Sequence, residues 1–217
     1  MDLRVTLHYK VNSMNDLHKA LGDISSLRKQ VARSTEFRGY GPLTLAATSG
    51  MALAAAAAQA VWMPHPSGHI LAYLAIWIGT AVGATGLIAS QTITRTKRIH
   101  SGLADEMLRM AIEQFLPSVL AGALITTVLY LYVPSSLWLL PGIWQIIFSL
   151  GVFSSCRFLP RRMVIAGAWY LMTGLICIGC GNARALSPLA MGVPYGAGQL
   201  LVAGILYFNA PEHGDED

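Results

Sequence analysis

Six long apolar runs dominate the pattern of hydrophobic and polar positions along the chain. Their boundaries are 43–61, 70–90, 115–133, 138–158, 163–181 and 189–208, and Arg157 is the one charged residue inside them. At about 1.5 Å per residue each run reaches roughly 27–32 Å as a helix, which matches the hydrocarbon thickness of a bilayer. The runs are continuous rather than alternating. They therefore predict an all-α polytopic membrane protein with six transmembrane helices, arranged as three hairpins.

The charges in the connections predict the orientation of these spans. All of the 15 lysines and arginines except Arg184 fall in segments on one side of the bilayer. By the positive-inside rule, both termini are expected in the cytoplasm. Six aromatic residues close to the outer ends of the helices predict an aromatic belt: Trp62, Tyr73, Trp77, Tyr130, Tyr132 and Trp138.

The first 13 residues carry a different pattern. Five apolar residues alternate with polar ones, which is typical of a β-strand: Leu3, Val5, Leu7, Tyr9 and Val11. No second strand is predicted, so this strand is expected to pair with a sheet edge of a partner or with a second copy of the chain. The alternatives are a frayed tail, an extra turn of the following helix, or a translation start at Met14.

Residues 14–42 predict a cytoplasmic amphipathic helix followed by a Gly/Pro turn. Six apolar residues recur there every three or four positions: Met14, Leu17, Leu21, Ile24, Leu27 and Val31. The helix is expected to lie on anionic lipid, to pack on the bundle or to pair with a partner helix. The bundle itself is predicted to span residues 43–208, and residues 209–217 form an acidic cytoplasmic tail.

The amino-acid composition limits the classes of function that the chain can have. The chain is 54% hydrophobic and 12% charged, about half the charged share of a soluble domain. Its net charge of +4 is distributed over loops, as the positive-inside rule requires, so no nucleic-acid partner is expected. Cys177 and Cys180 form a C-x-x-C without further ligands, and His65 and His69 share one outer loop. These pairs predict helix packing and a turn, respectively, rather than a metal or cofactor site.

Polar and small residues inside the spans are the remaining candidates for function. Gln145 and Gln199 are the deepest large polar side chains and form a candidate polar path, while the absence of intramembrane carboxylates argues against ion-coupled transport. Small residues at four-residue spacing predict close helix packing, inside the bundle or between protomers. The glycines in these stripes are Gly50, Gly79, Gly83, Gly192 and Gly196.

Three stretches of the chain resemble a family of uncharacterised bacterial six-span membrane proteins. They are "SSLRKQVARSTEFRGYGPLTLAATSGMALAAAA", "FLPSVLAGALITTVLYLYVPSSLWLLPGIW" and "SCRFLPRRMVIAGAWYLMTG". The matching positions of the second stretch are Phe115, Pro117, Leu120, Ala121, Gly122, Leu139, Pro141, Gly142 and Trp144. The resemblance implies six spans over residues 14–208 and no particular activity, and it makes residues 1–13 an addition to the family pattern.

These patterns lead to three functional hypotheses. The first is a non-catalytic membrane subunit or scaffold that assembles with itself or with a larger membrane complex. The second is a transporter or channel for a small neutral solute, and the third is a sensor that relays a signal through the N-terminal helix. The sequence shows no Ser-centred nucleophile elbow, no phosphate-binding glycine loop and no paired carboxylates. It therefore does not predict an enzyme.

Overall fold

The computed structural model describes residues 42–63, 65–99, 102–156 and 162–208, and within these ranges the chain is helical apart from short connections. The candidate strand 1–13, nearly all of segment 14–42 and the tail 209–217 lie outside the described residues. The helices are α1 (Pro42–Trp62), α2 (Ile70–Ile99), α3 (Gly102–Tyr132), α4 (Leu140–Ser155), α5 (Met163–Gly179), α6 (Asn182–Ala185) and α7 (Pro188–Phe208). Short 3-10 helices, Pro66–Gly68 and Pro134–Leu139, precede α2 and α4.

Each predicted apolar run coincides with one of these helices. Among the described residues, five helical segments are long and apolar enough to cross a membrane, so the chain is a multi-pass membrane protein. The remaining run, 163–181, forms α5, whose 17 residues reach about 25 Å. Helix α2 continues beyond the end of its predicted run to Ile99, and α3 begins before its predicted run, at Gly102. Both extensions lie outside the apolar runs, where polar residues can continue a helix.

The bundle is organised around two close helix pairs, α1 with α7 and α4 with α5. Helix α5 also packs on α7, which joins the pairs, while α2 packs on α1 and α3 packs on α4. Trp144 of α4 donates a hydrogen bond from Nε1 to the hydroxyl of Thr126 in α3, at 2.9 Å. Helices α2 and α3 make few contacts with each other.

Glycine allows the pair α4–α5 to approach within backbone contact. A Cβ atom added to Gly174 would lie 2.8 Å from the carbonyl oxygen of Gly142, and the reverse substitution would give the same distance. Real Cβ atoms do not approach backbone oxygens so closely, so neither position accepts a side chain unless the helices move apart. Gly181, with φ of 73°, occupies a conformation that favours glycine and separates α5 from α6.

The outer helices differ sharply from this core. No residue between Glu113 and Tyr132 of α3 is buried, and in α2 the buried residues between Ile70 and Gln91 are Tyr73, Leu74 and Trp77. A cleft of about 200 Å³ separates α2 from α3 and is lined by Leu71, Leu74, Thr126, Thr127, Tyr130 and Leu131. Beyond Trp77, α2 therefore presents most of its described surface outward.

Replacing Gly174 by alanine is expected to destabilise the bundle by about 1–3 kcal/mol, because the new methyl group meets the Gly142 backbone. The matched control is Gly204→Ala in α7, where an added Cβ would meet nothing within 4 Å and alanine improves helix propensity. Unfolding of both purified variants in mixed micelles, titrated with SDS, measures the difference. Equal stability of the two variants would contradict the close approach of α4 and α5.

Candidate functional site in the bundle interior

The interior is built around a carbonyl group that a proline leaves without its helical partner. Pro194 lies inside α7 and has no N–H, so the carbonyl oxygen of Ala190, four residues earlier, cannot accept the usual helical hydrogen bond. Gln145 of α4 supplies the missing donor: its Nε2 lies 2.8 Å from that oxygen. Because Gln145 is fully buried, this bond fixes the orientation of its amide in the centre of the bundle.

Two further side chains donate to the backbone of α7 close to this proline. Trp169 of α5 donates from Nε1 to the carbonyl oxygen of Pro194 at 3.0 Å. The hydroxyl of Ser49 in α1 donates to the carbonyl oxygen of Gly196 at 2.7 Å. Helix α7 therefore accepts hydrogen bonds from α1, α4 and α5, and these bonds set its position relative to all three helices.

A second network lies closer to the connection between α6 and α7. Gln59 of α1 donates from Nε2 to the carbonyl oxygen of Leu186 at 2.7 Å and accepts from Nε1 of Trp77 in α2 at 2.8 Å. Gln59 and Trp77 are both buried. Tyr73 and Trp77 were predicted from the sequence to lie in an aromatic belt. For these two residues the prediction is wrong, because both side chains turn inward and fill the space beside α1.

The predicted polar path residues Gln145 and Gln199 both face the interior but lie at different depths. Gln199 is nine residues beyond Ala190 on α7, about 13 Å along the helix axis. The hydroxyl of Thr48 in α1 lies 3.4 Å from Oε1 of Gln199. One turn earlier in α1, Thr44 donates a hydrogen bond to Gln91 of α2. The two glutamines thus belong to separate layers and are not bonded to each other.

Aromatic rings occupy the space between these layers. Phe148 of α4 makes edge contacts with Tyr170 of α5 and Tyr195 of α7, at centroid distances of 4.7 and 5.7 Å. The two tyrosine rings lie 5.4 Å apart. Gly198 makes room for this arrangement, since a Cβ added there would lie 2.4 Å from the Tyr170 hydroxyl oxygen. This cluster was not predicted from the sequence, because the spacing of aromatic residues within each helix does not show which rings of different helices come into contact.

Among the described residues, three buried polar atoms of this interior have no partner at hydrogen-bonding geometry: the hydroxyl oxygens of Tyr73 and Tyr170 and Oε1 of Gln145. The side chain of Gln199 lies beside the Tyr170 hydroxyl. In hydrocarbon, where water does not reach the protein, each unpaired polar atom destabilises the folded chain. These three atoms are therefore the positions of the described interior that still have capacity to form a hydrogen bond.

The glycines predicted to pack helices divide into two groups. Gly192 and Gly196 lie against α1, where added Cβ atoms would meet the Ala56 Cβ at 2.5 Å and Leu53 Cδ2 at 2.8 Å. An added Cβ at Gly83 would meet only the flexible end of the Met51 side chain, at 3.0 Å. An added Cβ at Gly50 or Gly79 would meet nothing within 4 Å. Gly50 and Gly79 therefore do not bring helices together inside the described bundle, and packing between protomers stays a prediction for them.

The cysteine and histidine pairs do not assemble a metal site within the described residues. Cys177 is buried and its thiol lies 3.8 Å from the carbonyl oxygen of Ala185, whereas Cys180 is exposed, and both are free thiols. His65 and His69 flank the 3-10 turn Pro66–Gly68. No group of three His, Cys, Asp or Glu side chains with metal-binding geometry occurs in the described ranges.

A double-mutant cycle tests the bond between Gln145 and Ala190. Gln145→Met keeps the side-chain length but removes the donor, and we expect it to lower the free energy of unfolding by about 1 kcal/mol. Pro194→Ala restores a backbone N–H that can bond the Ala190 carbonyl. In the Pro194→Ala background, Gln145→Met should therefore lower the free energy of unfolding by a smaller amount than in the wild type. The free energies of unfolding of the four proteins measure this coupling, and additive effects would contradict the assignment.

Comparison of the chain with protein-family models, with curated protein sequences and with solved structures gave no match in any of the three. The resemblance to six-span membrane proteins stays a prediction from the sequence. The function of the chain is therefore inferred from its own residues and contacts.

Proposed function

We propose that the chain is a non-catalytic membrane subunit or scaffold that assembles with itself or with a larger membrane complex. It lies in the bacterial inner membrane with six spans, α5 included, and with both termini in the cytoplasm. The observation that carries this proposal is the lack of burial along α3 and most of α2. These helices leave broad faces that a second protein can cover.

The chemistry of the α2 face favours a protein rather than lipid as its neighbour. Gly79 and Gly86 are exposed, and a Cβ added at either would meet nothing within 4 Å. They lie on the side of α2 opposite Tyr73 and Trp77, the side chains that face the bundle. Glycine offers little surface to lipid chains, but it lets the backbone of another helix approach closely, and such small-residue faces are typical of helix interfaces in membranes.

A solute transporter or channel is the second candidate function. The unpaired polar atoms of Tyr73, Gln145 and Tyr170 in the interior favour it, since polar groups in a membrane protein commonly mark a path. No charged side chain is buried among the residues for which exposure is described. A neutral solute therefore suits this interior better than an ion.

Leucine substitutions on the α2 face test the scaffold proposal. Gly79→Leu and Gly86→Leu are expected to reduce self-association or partner association, because each adds a side chain between two helices that approach closely. The bundle itself should stay folded, as both positions face open space. The measurement is the associated fraction by single-molecule photobleaching of labelled protein in liposomes.

The matched control for these variants is Gly204→Leu in α7, another position where an added Cβ meets nothing within 4 Å. It should leave association unchanged. If all three variants associate like the wild type, the α2 face is not an interface and the proposal loses its supporting observation.

The native cysteines test the orientation. Cys180 is exposed at the end of α5 that is expected outside the cytoplasm, so a membrane-impermeant maleimide added to intact cells should label it. Cys177 is buried, and Cys156 lies at the opposite, cytoplasmic end.

The control for this labelling is Cys180→Ala, which should abolish the signal in intact cells. Labelling of the wild type only after the cells are permeabilised would reverse the proposed orientation. Labelling of the Cys180→Ala variant in intact cells would place one of the other two cysteines outside.

A further inference from the structure

The last turn of α5 brings two of the three cysteines of the chain close together. Cys180 follows the final residue of α5 with φ of −69° and ψ of −13°, and its N–H donates to the carbonyl oxygen of Ile176 at 2.8 Å. Helical geometry therefore continues through Cys180, which places its Cα about 5 Å from the Cα of Cys177. That separation lies inside the range of roughly 4.4–6.8 Å that disulfides span.

The two thiols have different surroundings. Cys177 is buried, and its thiol contacts the carbonyl oxygen of Ala185 at 3.8 Å, a weak interaction because thiols are poor hydrogen-bond donors. Cys180 is exposed, and it lies close enough to Cys177 for the two thiols to interact electrostatically. A reagent dissolved in water therefore meets Cys180 first and reaches Cys177 only through it.

A disulfide requires the two Cβ atoms to come closer than a regular helix holds them. Residues three apart on a helix have Cβ atoms roughly 5–6 Å apart, and a disulfide needs about 3.5–4.5 Å. Cys180 lies between Gly179 and Gly181, where an added Cβ would meet nothing within 4 Å, and Gly181 already has a φ of 73°. The end of α5 can therefore turn at these two glycines and close the gap without displacing a packed side chain.

We propose that Cys177 and Cys180 form a reversible disulfide by exchange with an oxidant that itself carries an S–S bond. The Cys180 thiolate attacks the oxidant, whose S–S bond breaks and releases one thiolate. The Cys177 thiolate then attacks the Cys180 sulfur and releases the second. The two cysteine protons end on the two thiols of the reduced oxidant, so the pair loses two electrons and the oxidant gains them.

The inference rests on the proposed function in one respect, the orientation of the chain. That orientation places the end of α5 outside the cytoplasm, where oxidants of this class persist, whereas the cytoplasm keeps thiols reduced. The disulfide form has no thiol that reacts with maleimide, so labelling of intact cells measures the reduced form of Cys180. A membrane-impermeant reductant added before the label converts every copy to that form.

The test uses the full chain with Cys156→Ala in lipid nanodiscs, so that the pair supplies the remaining thiols. The protein is equilibrated with oxidised glutathione, quenched with acid, denatured and treated with N-ethylmaleimide, and its intact mass counts free thiols and bound glutathione. We expect two maleimide groups before oxidation, and neither maleimide nor glutathione after it. Two maleimide groups, retained glutathione or a disulfide-linked dimer after oxidation would overturn the proposal.

Cys177→Ala in the same background is the matched control. It keeps the exposed Cys180 but removes the second thiol, so it should retain one bound glutathione until a reductant is added. If this variant also loses its glutathione without a reductant, the exchange does not depend on Cys177, and the proposal is overturned.

The same count on chain extracted from acid-quenched cells separates the site from the orientation. A disulfide both in nanodiscs and in cells supports the two together. A disulfide in nanodiscs with two free thiols in cells keeps the site but places it in a reducing compartment, which rejects the proposed orientation. Free thiols in nanodiscs reject the site, whatever the cells show.

Discussion

The hydrogen bond from Gln145 to the Ala190 carbonyl is the interaction on which the interior depends. Pro194 removes a backbone donor from the middle of α7, and in a bilayer no water is available to replace it. The donor must come from another helix, and this requirement ties α4 to α7. Trp169 and Ser49 add bonds to the same helix from α5 and α1, so the backbone of α7 orders three of its neighbours.

Close helix approach is the second constraint, and it follows from the same geometry. The short side chain of Ser49 can reach the backbone of α7 at 2.7 Å only because α1 and α7 lie close together. Gly192 and Gly196 permit this approach between α7 and α1, and Gly142 and Gly174 permit it between α4 and α5. Gly79 and Gly86 of α2 have no such neighbour among the described residues, which is why we propose that they belong to an interface between proteins.

The sequence predicted the helices well, because the thickness of the hydrocarbon sets their length and hydropathy. It predicted their inward faces poorly, since in lipid both faces of a helix are apolar and periodicity carries little information. Gly50 and Gly79, whose stripes predicted packing inside the bundle or between protomers, face outward from the described bundle. Tyr73 and Trp77 were expected at the membrane–water interface and are buried. Gln145 was identifiable because a large amide deep in a span needs a partner, but the partner itself, a carbonyl freed by Pro194, depends on how α4 and α7 meet.

We propose that this compact centre carries outer helices whose open faces are covered by another protein. Native mass spectrometry of the assembly released straight from membrane vesicles tests this proposal. We expect a mass of two or more copies of the 23.3 kDa chain, or a complex that contains the chain and another protein. A single species at 23.3 kDa, stripped of lipid and without a partner, would contradict it.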